Sequence, residues 1–171
     1  MSNEIINRVA QSTLVTIDLE KFYVEGERVF YDLKQNLYQE LILKERDFRD
    51  FIKAHDWMAY SGKLVAIGCS VDTVIPTWAY MLIASKLKPI AKRAVLGTLE
   101  TIDQVLFQEA IAAIIPEEYE NAKVVIKGCS KYEVPNFAYV EIVNKLQPYV
   151  SSMMFGEACS SVPVFKRPKG S

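Results

Sequence analysis

The sequence predicts an α/β fold: a mostly parallel wound sheet built from a duplicated strand-Gly-Cys-Ser-helix-strand unit, with a β-rich N-terminal extension. Three observations carry this. Lys63-Leu64-Val65-Ala66-Ile67-Gly68-Cys69-Ser70 lines up with Lys123-Val124-Val125-Ile126-Lys127-Gly128-Cys129-Ser130. Downstream landmarks then recur in order: Pro76 with Pro135 after a one-residue gap, Trp78-Ala79-Tyr80 with Phe137-Ala138-Tyr139, Lys86-Leu87 with Lys145-Leu146, Pro89 with Pro148, and Gly97 with Gly156. Finally, short apolar runs alternate with amphipathic stretches, and this βαβαβαβ order implies parallel strands joined by right-handed crossovers.

The elements follow from local patterns. Val15, Ile17 and Leu19 alternate with Thr16 and Asp18, as in a half-buried strand, and Val29, Tyr31 and Leu33 repeat the pattern after a turn at Gly26. Leu41-Ile42-Leu43 reads as another short strand. Glu45 to Ala54 reads as a helix with Phe48, Phe51 and Ile52 inward. Leu64–Ile67 and Val124–Ile126 are β-branched and apolar, as buried parallel strands are. Pro76 and Pro135 suit a first helical turn, where a missing N–H costs nothing. The helices run from about residue 77 to 88 and 136 to 147, and Pro89 and Pro148 end them. A strand follows each, Arg93–Leu96 and Ser152–Phe155, and Ile102 to Ile114 forms a connecting helix. The tail from Lys166 onward is expected to fray. The chain thus reads as one domain over 1–171: an extension (1–62), a first copy (63–97), a connecting helix (98–122), then a second copy with a C-terminal strand (123–171).

Composition excludes several classes. At 171 residues, half hydrophobic, the chain can bury one ordinary core. A net charge of -1 argues against nucleic-acid binding, whose footprint is a basic patch. No apolar stretch reaches the ~20 residues of a membrane span. Met1-Ser2-Asn3-Glu4 is polar and acidic, unlike a secretory signal, so the three cysteines are expected to be reduced thiols in a cytoplasmic protein.

Open parallel sheets bind ligands beyond the carboxyl ends of their strands. Each strand from Leu64 on leaves that edge through a glycine: Gly68, Gly97, Gly128 or Gly156. Cys69 and Cys129 directly follow two of these, and Cys159 lies three residues beyond a third. If the Leu64 and Val124 strands are neighbours in one sheet, the three thiols share one edge. The helix N-termini beside the two Cys-Ser pairs would favour thiolates. Three gathered thiolates suit zinc, iron or an iron–sulfur cluster, with Asp72 or Glu157 as a further ligand. For any one cysteine alone, inert burial is the better reading. His55, the single histidine, belongs to a helix end expected near the opposite edge. No phosphate-binding glycine motif, nucleophile elbow or Cys-x-x-Cys is present. The outward face of the second repeat helix is polar (Glu141, Asn144, Gln147), whereas the first carries Leu82 there, beside Trp78 and Met81. That apolar face needs cover from the N-terminal residues, in a monomer, or from a second copy, in a homodimer.

The runs Leu41-Ile42-Leu43-Lys44-Glu45-Arg46-Asp47-Phe48-Arg49, His55-Asp56-Trp57, Ile75-Pro76-Thr77-Trp78-Ala79-Tyr80-Met81 and Phe155-Gly156-Glu157-Ala158-Cys159-Ser160 resemble a bacterial family catalogued as domain of unknown function 2480. The resemblance covers nearly the whole chain and names no catalytic residue. It implies a setting in iron–sulfur cluster biogenesis, with cluster-assembly proteins as partners. Three functions stay open: a thiolate metal- or cluster-binding accessory factor, a thiol redox or persulfide-transfer enzyme using Cys69 or Cys129, and a non-catalytic interaction module.

Overall fold

A computed structural model describes residues 14–128, 130–157 and 159–168. The protein is a mixed α/β chain with four α-helices among the described residues and two mostly parallel sheets. It folds as two compact units. One takes the chain up to Tyr23 and resumes at Leu106; the other is Val24–Val105.

In the Val24–Val105 unit, β2 (Arg28–Asp32), β3 (Leu64–Gly68) and β4 (Arg93–Leu96) form a parallel sheet in the order β2-β3-β4. The central strand is buried from Leu64 to Ile67, which explains its unbroken apolar run. Val65 and Ile67 face a core with Tyr31 and Leu33, with Phe48 and Ile52 of α1 (Glu45–Ala54), and with Ala79, Ile83 and Leu87 of α2 (Thr77–Leu87). Trp78 lies against Phe48, ring centroids 5.8 Å apart, under the Arg49 guanidinium, and Leu82 packs on the same core. The apolar face of α2 is thus covered in part from within its own unit. Arg28 ties the unit together. Its guanidinium donates to Asp103 Oδ1 (2.6 and 3.1 Å) and to the carbonyls of Val24 and Gly26 (2.9 Å each).

In the other unit the order is β1-β5-β6-β7, from β1 (Leu14–Asp18), β5 (Lys123–Lys127), β6 (Ser152–Glu157) and β7 (Ser160–Lys166). The first three strands are parallel, and β7 returns antiparallel to β6. Gly156 bends this hairpin at φ +117°, where a Cβ would stand 2.8 Å from the Ser160 carbonyl oxygen. Ile17, Val124, Ile126 and Met153 meet Ala138, Ile142 and Leu146 of α4 (Asn136–Leu146) and Phe107 and Ile111 of α3 (Leu99–Ala112).

Three expectations are corrected. The sheet is not one but two, so β3 and β5 are not neighbours. The N-terminal strands are not a layer laid on a wound sheet. β1 and β2 each join one of the two sheets, pairing with the β5 and β3 backbones that would otherwise be open edges. Leu41–Leu43 forms no strand; Ile42 makes only an isolated bridge to Tyr38.

The repeat also shifts. Val65 pairs with Val29 and Ile67 with Tyr31; Val124 pairs with Val15 and Ile126 with Ile17. All eight side chains belong to the helix-covered faces by strand alternation. Val65 therefore corresponds to Val124 and Ile67 to Ile126, at the same spacing that separates Pro76 from Pro135 and Leu87 from Leu146. On this register Gly68 corresponds to Lys127, Cys69 to Gly128 and Ser70 to Cys129. The Gly-Cys-Ser match is one residue out of step with the strands, and a one-residue slip exchanges the faces of a strand.

Candidate functional site

The carboxyl ends of the parallel strands are built by two aspartates. Asp18 and Asp32 end β1 and β2, and each caps a 3-10 turn by accepting from a backbone N–H two residues on, Glu20 in one unit and Lys34 in the other (3.1 and 2.9 Å). Asp32 Oδ1 also accepts from the Ser70 N–H at 3.0 Å, tying the loop after β3 to the end of β2. Partial desolvation pulls the Asp32 carboxyl up. The Ser70 hydroxyl, the Lys34 and Ser70 amides and the Lys34 charge outweigh that and hold it below its ordinary value.

In the other unit the loop after β5 is tied by a different residue. Glu20 reaches from the 3-10 turn Leu19–Phe22 and accepts from the Ser130 hydroxyl (2.6 Å) and from the amides of Ser130, Lys131 (2.7 Å) and Tyr132 (3.1 Å). The Ser130 hydroxyl acts most strongly, desolvation opposes it, and the Lys131, Tyr132 and Ser130 amides add to it, so the Glu20 carboxyl is held down at about 2. Tyr23 stacks on Tyr132 beside it, centroids 4.1 Å apart.

The strand adjacency on which the thiolate site was predicted is not present. Cys69 follows β3 in one sheet and Cys129 follows β5 in the other, so the adjacency that would have joined them is absent. Cys69 is half-buried against the core of its unit, near Tyr80, whose phenol is pushed up by burial and by the neighbouring Cys69. Cys159 is exposed in the β6–β7 turn, and Cys129 lies outside the described residues. Asp72 is exposed, and Glu157 makes a solvent-facing ion pair with Lys127 at 3.6 Å. His55 caps α1 among the rings of Phe51, Trp57, Tyr31 and Tyr60, with Nε2 buried and lacking a hydrogen-bond partner. Among the described residues no three His, Cys, Asp or Glu side chains gather to hold a metal ion.

The glycines that open these loops serve packing. A Cβ on Gly68 would meet Phe30 Cε2 at 2.8 Å and the Gly97 carbonyl oxygen at 3.0 Å. On Gly128 it would meet Tyr139 Oη at 2.6 Å and Val134 Cγ2 at 3.1 Å. Cys69, the counterpart of Gly128, stands instead near Tyr80, the counterpart of Tyr139. On this register the residue after each strand differs: a cysteine near Tyr80 in one unit, a glycine against Tyr139 in the other.

A groove of about 470 Å³ lies over the carboxyl half of β5 and β6. Tyr139, Val140 and Val143 of α4 form one wall; Phe155 and Val164 of the β6–β7 hairpin form another, with Ile126 at the base. Tyr139 and Phe155 meet edge to face at 5.5 Å. Asn136 and Asn144 are the polar lining residues, eight positions and so ~12 Å apart along the helix. None of the lining residues is charged. Val140 is 60% exposed and Val164 51%, an apolar surface that solvent alone does not favour. The sequence reading missed this groove because Val140 is flanked by the polar stripe of α4 and because its opposite wall, Val164, lies on another element. The usable signal was the pair Val140 and Val143 beside Asn136 and Asn144.

No helix among the described residues is long and apolar enough to cross a membrane. Neither a curated protein nor a solved structure matches the chain. A family model described as "Protein of unknown function (DUF2480)" matches residues 3–167, so the chain belongs to that family.

Proposed function

We propose that this chain is a non-catalytic binding module whose seat is the groove between α4 and the β6–β7 hairpin, and that it takes up a small, neutral, mainly apolar molecule. The observation that carries this is the lining. A concave site of about 470 Å³ falls within the size range of small-molecule sites, which are walled by apolar and aromatic side chains with a few polar groups to fix orientation. Here the amides of Asn136 and Asn144 supply the polar groups, and each offers a donor and an acceptor. No charged side chain lines the seat to meet an ionic group, and a bare charge there would lose hydration without a partner. The groove also reaches over the carboxyl half of β5 and β6, the half toward which open parallel sheets place ligands.

The neutral dye Nile red tests the reading. Saturable fluorescence enhancement is expected with the wild type and is expected to weaken roughly tenfold, ~1.4 kcal/mol, in Val140→Asp. Val140 is largely exposed, so the change should leave the fold intact. Met81→Asp, an exposed site in the other unit, is the control and should bind as the wild type does. Equal enhancement in wild type and Val140→Asp would refute the assignment, as would no saturable binding at all.

A further inference from the structure

We propose that the backbone of Ser130–Tyr132 is an oxyanion-binding cradle and that Glu20 is its built-in, displaceable plug. The amides of Ser130, Lys131 and Tyr132 and the Ser130 hydroxyl converge on one carboxylate. Successive N–H groups turned to one point form a concave site for an anion, and here an oxyanion already sits in it. The ligand class that these donors recognise is a carboxylate or phosphate oxyanion, since all four give hydrogen bonds. Lys131 adds a positive charge on the same loop.

Comparison of the two units separates plug from scaffold. Each has a strand-ending Asp that caps a 3-10 turn through the amide two residues on; that amide belongs to Glu20 in one unit and to Lys34 in the other. Lys34 cannot accept a hydrogen bond and is paired with Glu40 at 3.2 Å. The loop after β3 is tied by Asp32, through Ser70, and by Thr73, whose hydroxyl donates to the Leu41 carbonyl. In both units a carboxylate from the preceding strand end or turn reaches the loop, Asp32 in one and Glu20 in the other. Glu20 differs from Asp32 in reach: it comes from the turn and takes up four donors of the loop, a set that suits an incoming anion. An intramolecular carboxylate competes with solution anions at an effective concentration of order millimolar, so the wild-type cradle should be masked and not abolished. This inference concerns other residues than the apolar groove and does not depend on it.

The test follows the backbone amides of Ser130, Lys131 and Tyr132 by ¹⁵N–¹H NMR. Wild type, Glu20→Ala and Glu20→Gln are titrated with sodium phosphate and, separately, with sodium acetate, against sodium chloride at matched ionic strength. Saturable shifts of the three amides are expected in Glu20→Ala, with binding roughly tenfold or more weaker in the wild type. The phosphate and acetate arms decide which oxyanion is preferred. Shifts equal to those caused by chloride, in a variant whose remaining spectrum keeps its native dispersion, would overturn the proposal. Glu20→Gln preserves side-chain shape, so it serves if Glu20→Ala does not fold. Loss of folding in both variants would make Glu20 a structural clamp and would overturn the proposal equally. Nile red binding should be unchanged in either variant, so this result stands or falls apart from the groove.

Discussion

Leu146 and Leu87 are corresponding residues of α4 and α2, each with no exposed surface, and each inside the core of a different unit. Leu→Ala removes three carbons at ~0.8 kcal/mol each, and the unfilled cavity raises the total to about 3 kcal/mol. Val140→Ala, at a site 60% exposed, should cost under about 1 kcal/mol by the same arithmetic. Both tryptophans, Trp57 and Trp78, lie within Val24–Val105. Tryptophan fluorescence in urea should thus report Leu87→Ala directly, while far-ultraviolet circular dichroism reports both variants. If the 171 residues melt as one cooperative body, a loss of 3 kcal/mol lowers Tm by ~6–12 °C. If each unit melts by itself, the affected transition falls by ~12–24 °C and the tryptophan signal ignores Leu146→Ala. A cost below ~1 kcal/mol for either leucine would refute the two-core assignment, because a fully buried leucine cannot be truncated at the price of a surface one.

Gly68→Ala should destabilise by ~1–3 kcal/mol in urea unfolding, since its Cβ would press on the Gly97 carbonyl as well as on the Phe30 ring; a neutral result would show that the strand ends yield. The Glu20 link is expected to be intact above the ordinary value of 4.5 and to be lost as pH falls through about 2, because hydrogen bonding lowers the folded-state pKa; the Ser130, Lys131 and Tyr132 amides should titrate there, and an inflection near 4.5 would contradict the geometry. Zinc and iron contents of protein purified without oxygen should be the same in wild type, Cys69→Ala and Cys159→Ser. A stoichiometric metal lost from either variant would establish a thiolate centre.

The order and type of the main elements were legible because they depend on neighbours in sequence. β-branched runs at Leu64–Ile67 and Val124–Ile126, prolines before α2 and α4, and Pro89 and Pro148 after them are local signals, and the elements fall where those signals lie. The inward sets Phe48 and Ile52, and Ala79, Ile83 and Leu87, likewise follow from a 3.6-residue period. Partner choice was not legible. A parallel strand offers the same N–H and C=O row to any neighbour, and β3 and β5 are nearly alike, so nothing local says that β3 takes β2 while β5 takes β1. That choice, made by which side chains fill each core, puts Cys69 after a strand of a different sheet from β5. The two candidate seats are non-local in the same way. The groove needs Val140 and Val164 from different elements, and the cradle needs Glu20 to meet Ser130 from 110 residues away. Sequence determined what each segment becomes, through backbone sterics and periodicity; tertiary structure alone decided which segments meet, because that depends on burying whole faces and satisfying every buried amide at once.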